Sequence, residues 1–363
     1  MPFFSKQDID NAKAYKYNGK DDSLLVRFVY RSFWNWLIEF FPKWIAPNLI
    51  TFIGWLFEVV SFTISFCLSE KMTKPLPSWA CLMNGICLAI YQTLDNLDGR
   101  QARRTGLSSA LGQFFDHGCD ALTGAFELAK VAMTLQLSNE KAFWFIFLMG
   151  IGFSITSWEE YVTHAFYLGY FNGPDEGLTI LWIVQILACF IPEQMKAIGN
   201  SSFVSYGFII AACLTILEIF FNVFKNCIQN HSFIPRILGI LPMTVLFFIF
   251  LLIFIICHDY VVNQSFFILS SGLSLQFLAQ NIIISFLTKR NWPKLFTIPT
   301  ILVIGTAFGA LVFPQLNENQ NFWEFYLFGL VALMLYFDVR SIYGLSRGMG
   351  IPIFTVPKGT KIN

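Results

Sequence analysis

An all-α, polytopic integral membrane protein is predicted, on three observations. Over 363 residues the chain is 55% hydrophobic, and its 13% of charged residues is about half the share found in a soluble domain. Its mean hydropathy is +0.58. After Pro47, apolar runs recur at lengths close to the ~20 residues a helix needs to cross a bilayer. A net charge of +1 argues against a nucleic-acid partner. The eight cysteines form no C-x-x-C pair and fall mostly inside apolar runs, which reads as reduced thiols facing core or lipid.

The first 22 residues are polar and of mixed charge, with no cleavable signal peptide evident, so targeting is expected to rest on the first membrane helix. Residues 24–44 mix aromatic and aliphatic side chains with Arg27, Arg31, Glu39 and Lys43. That is too charged to span, and it reads as an amphipathic helix lying in the interface, or else as an irregular, partly buried arm. The spans themselves are expected at about 48–69, 78–98, 109–135, 142–166, 177–192, 203–226, 235–257, 264–288, 294–314 and 321–343, ten in all. With residues 1–47 placed in the cytosol, 19 Lys and Arg fall on that side and 4 on the other, which supports an even number of spans with both ends cytosolic. The organisation expected is a cytosolic N-terminal arm (1–47), a membrane domain (48–345) and a cytosolic tail (346–363).

One polar stretch interrupts this pattern. Between Asp95 and Asp120 the chain holds four aspartates in 26 residues, with runs of transmembrane length on both sides. Asp95 and Asp98 are spaced i, i+3 and Asp116 and Asp120 i, i+4, so each pair shares one face of a helix. Consecutive membrane helices joined by a short turn are antiparallel, and the two acidic faces can meet. Converging carboxylates repel one another unless a cation neutralises them, and hard oxygen ligands favour Mg²⁺ or Mn²⁺. Ionisable groups at membrane depth are costly and mark function. Gly99 allows close approach of a ligand, Ala102 leaves room beside it, and Arg103 offers a fork of donors suited to phosphate. Gly112, one turn before Asp116, lets two membrane helices pack closely. Together these suggest phosphoryl-type transfer assisted by metal.

The pattern D-x2-D-G-x2-A-R-x8-G-x3-D-x3-D, filled by Asp95, Asp98, Gly99, Ala102, Arg103, Gly112, Asp116 and Asp120, resembles the signature of the CDP-alcohol phosphotransferase family. Trp44-Ile45-Ala46-Pro47-Asn48-Leu49-Ile50-Thr51, Phe115-Asp116-His117-Gly118-Cys119-Asp120, Trp158-Glu159-Glu160-Tyr161, Gly169 and Asn172-Gly173-Pro174 are similar to its eukaryotic choline/ethanolamine phosphotransferase branch. The resemblance covers roughly residues 44–180; beyond about 190 only hydropathy speaks.

It implies transfer of phosphocholine or phosphoethanolamine from CDP-choline or CDP-ethanolamine to diacylglycerol, with release of CMP, by catalytic helices at about 48–192. By the same resemblance Asp95, Asp98, Asp116 and Asp120 would hold two Mg²⁺ or Mn²⁺. Gly99 and Ala102 would lie against the cytidine, Arg103 on a phosphate and Asn48 at the nucleotide, with Gly112 completing the signature. His117 would deprotonate the diacylglycerol hydroxyl, with Asp120 as the rival base. An ordinary imidazole pKa of about 6.5 suits that role. His117 lies about 12 Å into its helix at 1.5 Å per residue, a depth a lipid hydroxyl can reach. The resemblance further implies a homodimer in the endoplasmic reticulum or Golgi membrane, with membrane lipid around it.

Plainer readings stand beside these. The aspartates could line a cation or proton path, which leaves Gly99, Ala102, Arg103 and Gly112 unexplained. His117 could merely orient an aspartate. Glu159 and Glu160 could be solvated helix-end charges, or could attract a cationic headgroup with Trp158 and Tyr161 supplying aromatic faces. Arg100 and Arg104 could anchor the turn to anionic headgroups. Glu58, Glu127 and Lys130 read as a buried polar cluster, and His164, His231 and His258 as interfacial. Gln276, Gln280 and Asn281 read as hydrogen-bonders between helices. Two other functions remain open: a relative using CDP-diacylglycerol with inositol, serine or glycerol phosphate, and an idle scaffold or transporter.

Overall fold

The computed structural model describes residues 3–170, 172–230, 238–290 and 297–357. Each of the ten expected runs coincides with a helix: α3 (Pro47–Leu68), α4 (Ser78–Thr105), α5 (Ala110–Thr134), α6 (Asn139–Thr163), α7 (Leu178–Phe190), α9 (Ser202–Asn230), α10 (Leu241–Ile256), α11 (Ser265–Leu287), α12 (Ile298–Val312) and α13 (Gln320–Met349). Among the described residues, seven helical stretches are long and apolar enough to cross a bilayer. The other three runs have evident reasons to fall short. Helices α4 and α5 carry the polar stretch, and α12 has only 15 residues. His231 lies outside the described residues.

Before the bundle come α1 (Lys6–Lys13) and α2 (Arg31–Leu37), the latter entered through a wide helical turn at Val26–Tyr30 and left through a tight one at Ile38–Phe40. A short α8 (Pro192–Asn200) links α7 to α9. Around α2 the aromatics divide by side: Trp34 and Ile38 are buried, whereas Phe28, Trp36, Phe40 and Trp44 are exposed. Such a surface suits a helix half immersed in the headgroup region. Its inner side is held by two arginines. Arg100 stacks over the Trp34 ring at 4.9 Å, and Arg104 donates to Ile38 O and Phe41 O. These arginines therefore dock the interfacial helix onto α4 rather than standing free for lipid, because α4 continues past the expected boundary at 98 to Thr105.

Helix α11 is buried along its whole length. Against it α6 approaches to backbone contact: a methyl on Gly150 would stand 2.9 Å from Gly272 O, and Ser154 donates to Leu275 O at 2.8 Å. Small residues permit this closeness between membrane helices. Helix α4 packs against both α3 and α7, and α5 contacts both α3 and α11.

Two unforeseen contacts tie distant parts of this frame together. Strand β1 (Gly19–Asp21) pairs in parallel with β2 (Phe166–Leu168). After α13 the chain folds back, Ile45 bridging to Thr355 and the Phe354 ring meeting Phe115 and Phe52 at 5.6 and 5.5 Å.

Candidate active site

Helix α4 ends at Gly106, whose φ of +68° is readily available only to glycine, and Leu107 N then returns to Ala102 O at 2.9 Å. Ser109 caps α5 by accepting from Gly112 N at 3.2 Å. With so short a turn the helices run antiparallel, and the two acidic faces meet as expected. One ligand oxygen each from Asp95, Asp98 and Asp116 lie within 4.8 Å of one another. The same holds for ligand atoms of Asp116, His117 and Asp120. Asp116 belongs to both groups and joins them.

Two neighbours orient this cluster. Thr51 of α3 donates its hydroxyl to Asp98, and Tyr91 of α4 donates its phenol to Asp120. Neither role was assigned from sequence. By contrast, Asp95 Oδ1 and Asp116 Oδ1 are buried and have no hydrogen-bond partner among the described residues. Orphaned carboxylate oxygens in the all-oxygen group of Asp95, Asp98 and Asp116 fit a divalent cation of the Mg²⁺ or Mn²⁺ kind.

Arg103 is exposed at the end of α4, and a methyl on Gly99 would stand 3.5 Å from its Nη1, so glycine keeps space open beside the guanidinium. Ala102 is half-buried nearby. Gly112 does the same on α5, where a methyl would meet Asn48 Oδ1 and Ser109 Oγ, each at 3.7 Å. Asn48 turns its amide nitrogen to Ile353 O at 3.1 Å, so the returning C-terminal segment fixes which atom it presents.

His117 packs its ring on Phe166 of β2 at 5.2 Å. The Gln113 amide lies 2.9 Å from His117 Nε2; with the amide nitrogen donating, Nδ1 carries the ring proton.

The expected headgroup residues divide. Trp158 packs against Phe220 of α9 at 5.7 Å, Glu159 accepts from Asn222 of α9 at 2.9 Å, and Tyr161 donates to Arg290 O at 3.0 Å. All three are buried in structural contacts, and the residues are not the solvated helix end that one reading expected. Glu160 is buried as well. Burial first, and then the charges of Glu160, Tyr17 and Asp116, hold the Tyr15 phenol well above its usual range.

A family profile described as CDP-alcohol phosphatidyltransferase matches residues 44–217. Choline/ethanolaminephosphotransferase 1 of Arabidopsis thaliana is 30% identical over 392 residues, covering 99% of each chain. Choline/ethanolaminephosphotransferase 1 of Saccharomyces cerevisiae is 33% identical over 201 residues, 53% of this chain and 50% of that one. An uncharacterized class-I family protein 3 of Dictyostelium discoideum reaches 41% over 179 residues, 49% of this chain and 45% of its own.

Proposed function

The chain belongs to the CDP-alcohol phosphatidyltransferase family, and from that premise we propose that it transfers phosphocholine or phosphoethanolamine from the CDP ester to the hydroxyl of diacylglycerol, releasing CMP. The observation that carries the reading is the convergence of acids from α4 and α5 with two buried carboxylate oxygens left without partners.

In this reading Asp95, Asp98, Asp116 and Asp120 hold two Mg²⁺ or Mn²⁺, which when bound would offset the charge of the diphosphate and of the departing CMP. Arg103 takes a phosphate oxygen through its fork, while Gly99, Ala102 and Gly112 leave the space in which the nucleotide lies near Asn48. The diacylglycerol oxygen bonds to the phosphorus that carries the headgroup, and the bond from that phosphorus to the CMP oxygen breaks. The hydroxyl proton passes to His117 Nε2, once the Gln113 amide has turned away from that lone pair. Asp120 is the weaker candidate for base, since Tyr91 already occupies it. Helices α3–α7 form the catalytic part, and the acceptor enters sideways from the bilayer. The same reading carries an endoplasmic reticulum or Golgi location, a cytosolic active site and a homodimer.

Purified protein given radiolabelled CDP-choline or CDP-ethanolamine, diacylglycerol and Mg²⁺ should yield labelled phospholipid. No label with either CDP-amine overturns the proposal, and product formed only from CDP-diacylglycerol and inositol would move the chain to another branch.

A further inference from the structure

Helix α5 is gripped from behind by polar side chains of the C-terminal helices. Gln280 of α11 donates through one nitrogen to Gly118 O of α5 at 3.2 Å and to Asp338 Oδ2 of α13 at 2.9 Å. One turn away, with the Gln276 amide turned so that its nitrogen and oxygen both find partners, it donates to Ala121 O at 2.6 Å and accepts from Ala125 N at 3.3 Å. At Gly124 a missing side chain makes room for Gln276. A methyl on Gly118 would stand 3.6 Å from Asp338 Oδ1, and one on Gly124 would come within 2.7 Å of the Gln276 amide. All three polar residues are buried, and Asp338 Oδ1 has no partner among the described residues.

A carboxylate buried with one amide donor is costly, and an apolar side chain would fill the same volume without that cost. Apolar contacts, however, let a helix rotate and slide, whereas hydrogen bonds to its main chain do not. At 100° per residue, Gly118 projects about 200° from both Asp116 and Asp120, on the opposite side of α5. A rotation of about 20° would carry a carboxylate ~6 Å from the axis through about 2 Å. Misplacement of even about 1 Å can lower a rate by roughly two orders of magnitude.

We infer that Gln276, Gln280 and Asp338 are positioning residues that fix the rotation and depth of α5, and so the placement of Asp116, His117 and Asp120. The inference rests on the phosphotransfer reading above, and it gives the C-terminal helices a part in the reaction.

The test compares wild type with Gln280→Met, Asp338→Leu and the conservative Asp338→Asn. The readouts are Mn²⁺ affinity by electron paramagnetic resonance without substrate, kcat and KM, and the thermal midpoint in detergent. Gln280→Met and Asp338→Leu should weaken Mn²⁺ binding or kcat by about tenfold or more, with the thermal midpoint and the KM for diacylglycerol little changed. Asp338→Asn, which still offers an oxygen to Gln280, should restore most of the loss. Folded variants with wild-type Mn²⁺ affinity and kcat would overturn the inference. Should Asp338→Leu fail to fold, the volume-matched Gln280→Met decides alone. A wild type that binds no Mn²⁺ and transfers no label would instead sink the phosphotransfer reading.

Discussion

Lys130 of α5 donates to Glu58 of α3 across 2.6 Å, and neither side chain reaches the surface. Its ammonium also lies 2.7 Å from Glu127 and 3.0 Å from the Ser61 hydroxyl, while Gln185 of α7 donates to Glu127 at 2.5 Å. Helices α3, α5 and α7 are thus joined at one buried ionic junction, on the same α3 and α5 that carry Thr51 and Asp116.

Two carboxylates share one ammonium there, so Lys130→Met leaves both unpaired in a low-dielectric interior. Removing one partner of a buried pair costs about 3–5 kcal/mol. The triple variant Glu58→Gln, Glu127→Gln, Lys130→Met removes every charge and should recover most of that loss. Thermal unfolding in detergent compares the two, and a Lys130→Met protein as stable as the triple variant would contradict the argument.

Thr51 and Tyr91 touch the aspartates without being ligands themselves. Thr51→Val and Tyr91→Phe should raise the Mn²⁺ concentration needed for half-maximal turnover, or lower turnover, by about 10–100-fold. Asp95→Ala and Asp116→Ala remove the residues with orphaned oxygens and should abolish turnover altogether. Near-normal turnover in both aspartate variants would rule out the metal assignment.

A base acts on the acceptor proton and not on the nucleotide. His117→Ala should therefore lower kcat by about 10²–10⁴-fold while leaving the calorimetric affinity for CDP-choline close to wild type. Affinity lost together with the fold would mean that the ring packed on Phe166 is a structural prop.

The local part of this architecture was legible in the sequence. Acids at i, i+3 and i, i+4 declare a shared helix face, and a short turn between antiparallel helices lets two such faces meet, so Asp95, Asp98, Asp116 and Asp120 could be assembled without coordinates. The charge cluster of Glu58, Glu127 and Lys130 was legible for a related reason, since charges at membrane depth must find one another. What stayed hidden depends on partners far apart in the chain. Asn48 meets Ile353, β1 meets β2, and Arg104 turns to Ile38 instead of lipid. Trp158-Glu159-Glu160-Tyr161 was ambiguous because a run of aromatic and acidic residues suits a cation pocket and a helix–helix contact equally well, and the sequence does not say that α9 packs on Trp158 and Glu159. Thr51 lay within a family-like stretch, yet a single hydroxyl on an apolar helix carries no signal of what it faces.

The N-terminal arm offers a prediction in pH. Burial alone would push the Asp8 carboxyl up, but hydrogen bonds from Arg290 and Ser5, with the guanidinium charge, outweigh it and hold the pKa at about 2, below its ordinary 3.8. A pKa depressed on folding contributes stability that is present above the unfolded value and is lost as pH falls through the folded one. Docking of α1 onto the end of α11 should therefore hold above pH 3.8 and weaken between 3.8 and about 2. Amide hydrogen exchange over Lys6–Lys13, corrected for its intrinsic pH dependence and set against Ser265–Leu287 in the buried α11, isolates the local release from global acid unfolding. Asp8→Asn should exchange faster at neutral pH and show no further step in that window. A wild-type arm that loosens no more than the variant as the pH falls would show that Arg290 is not what holds it.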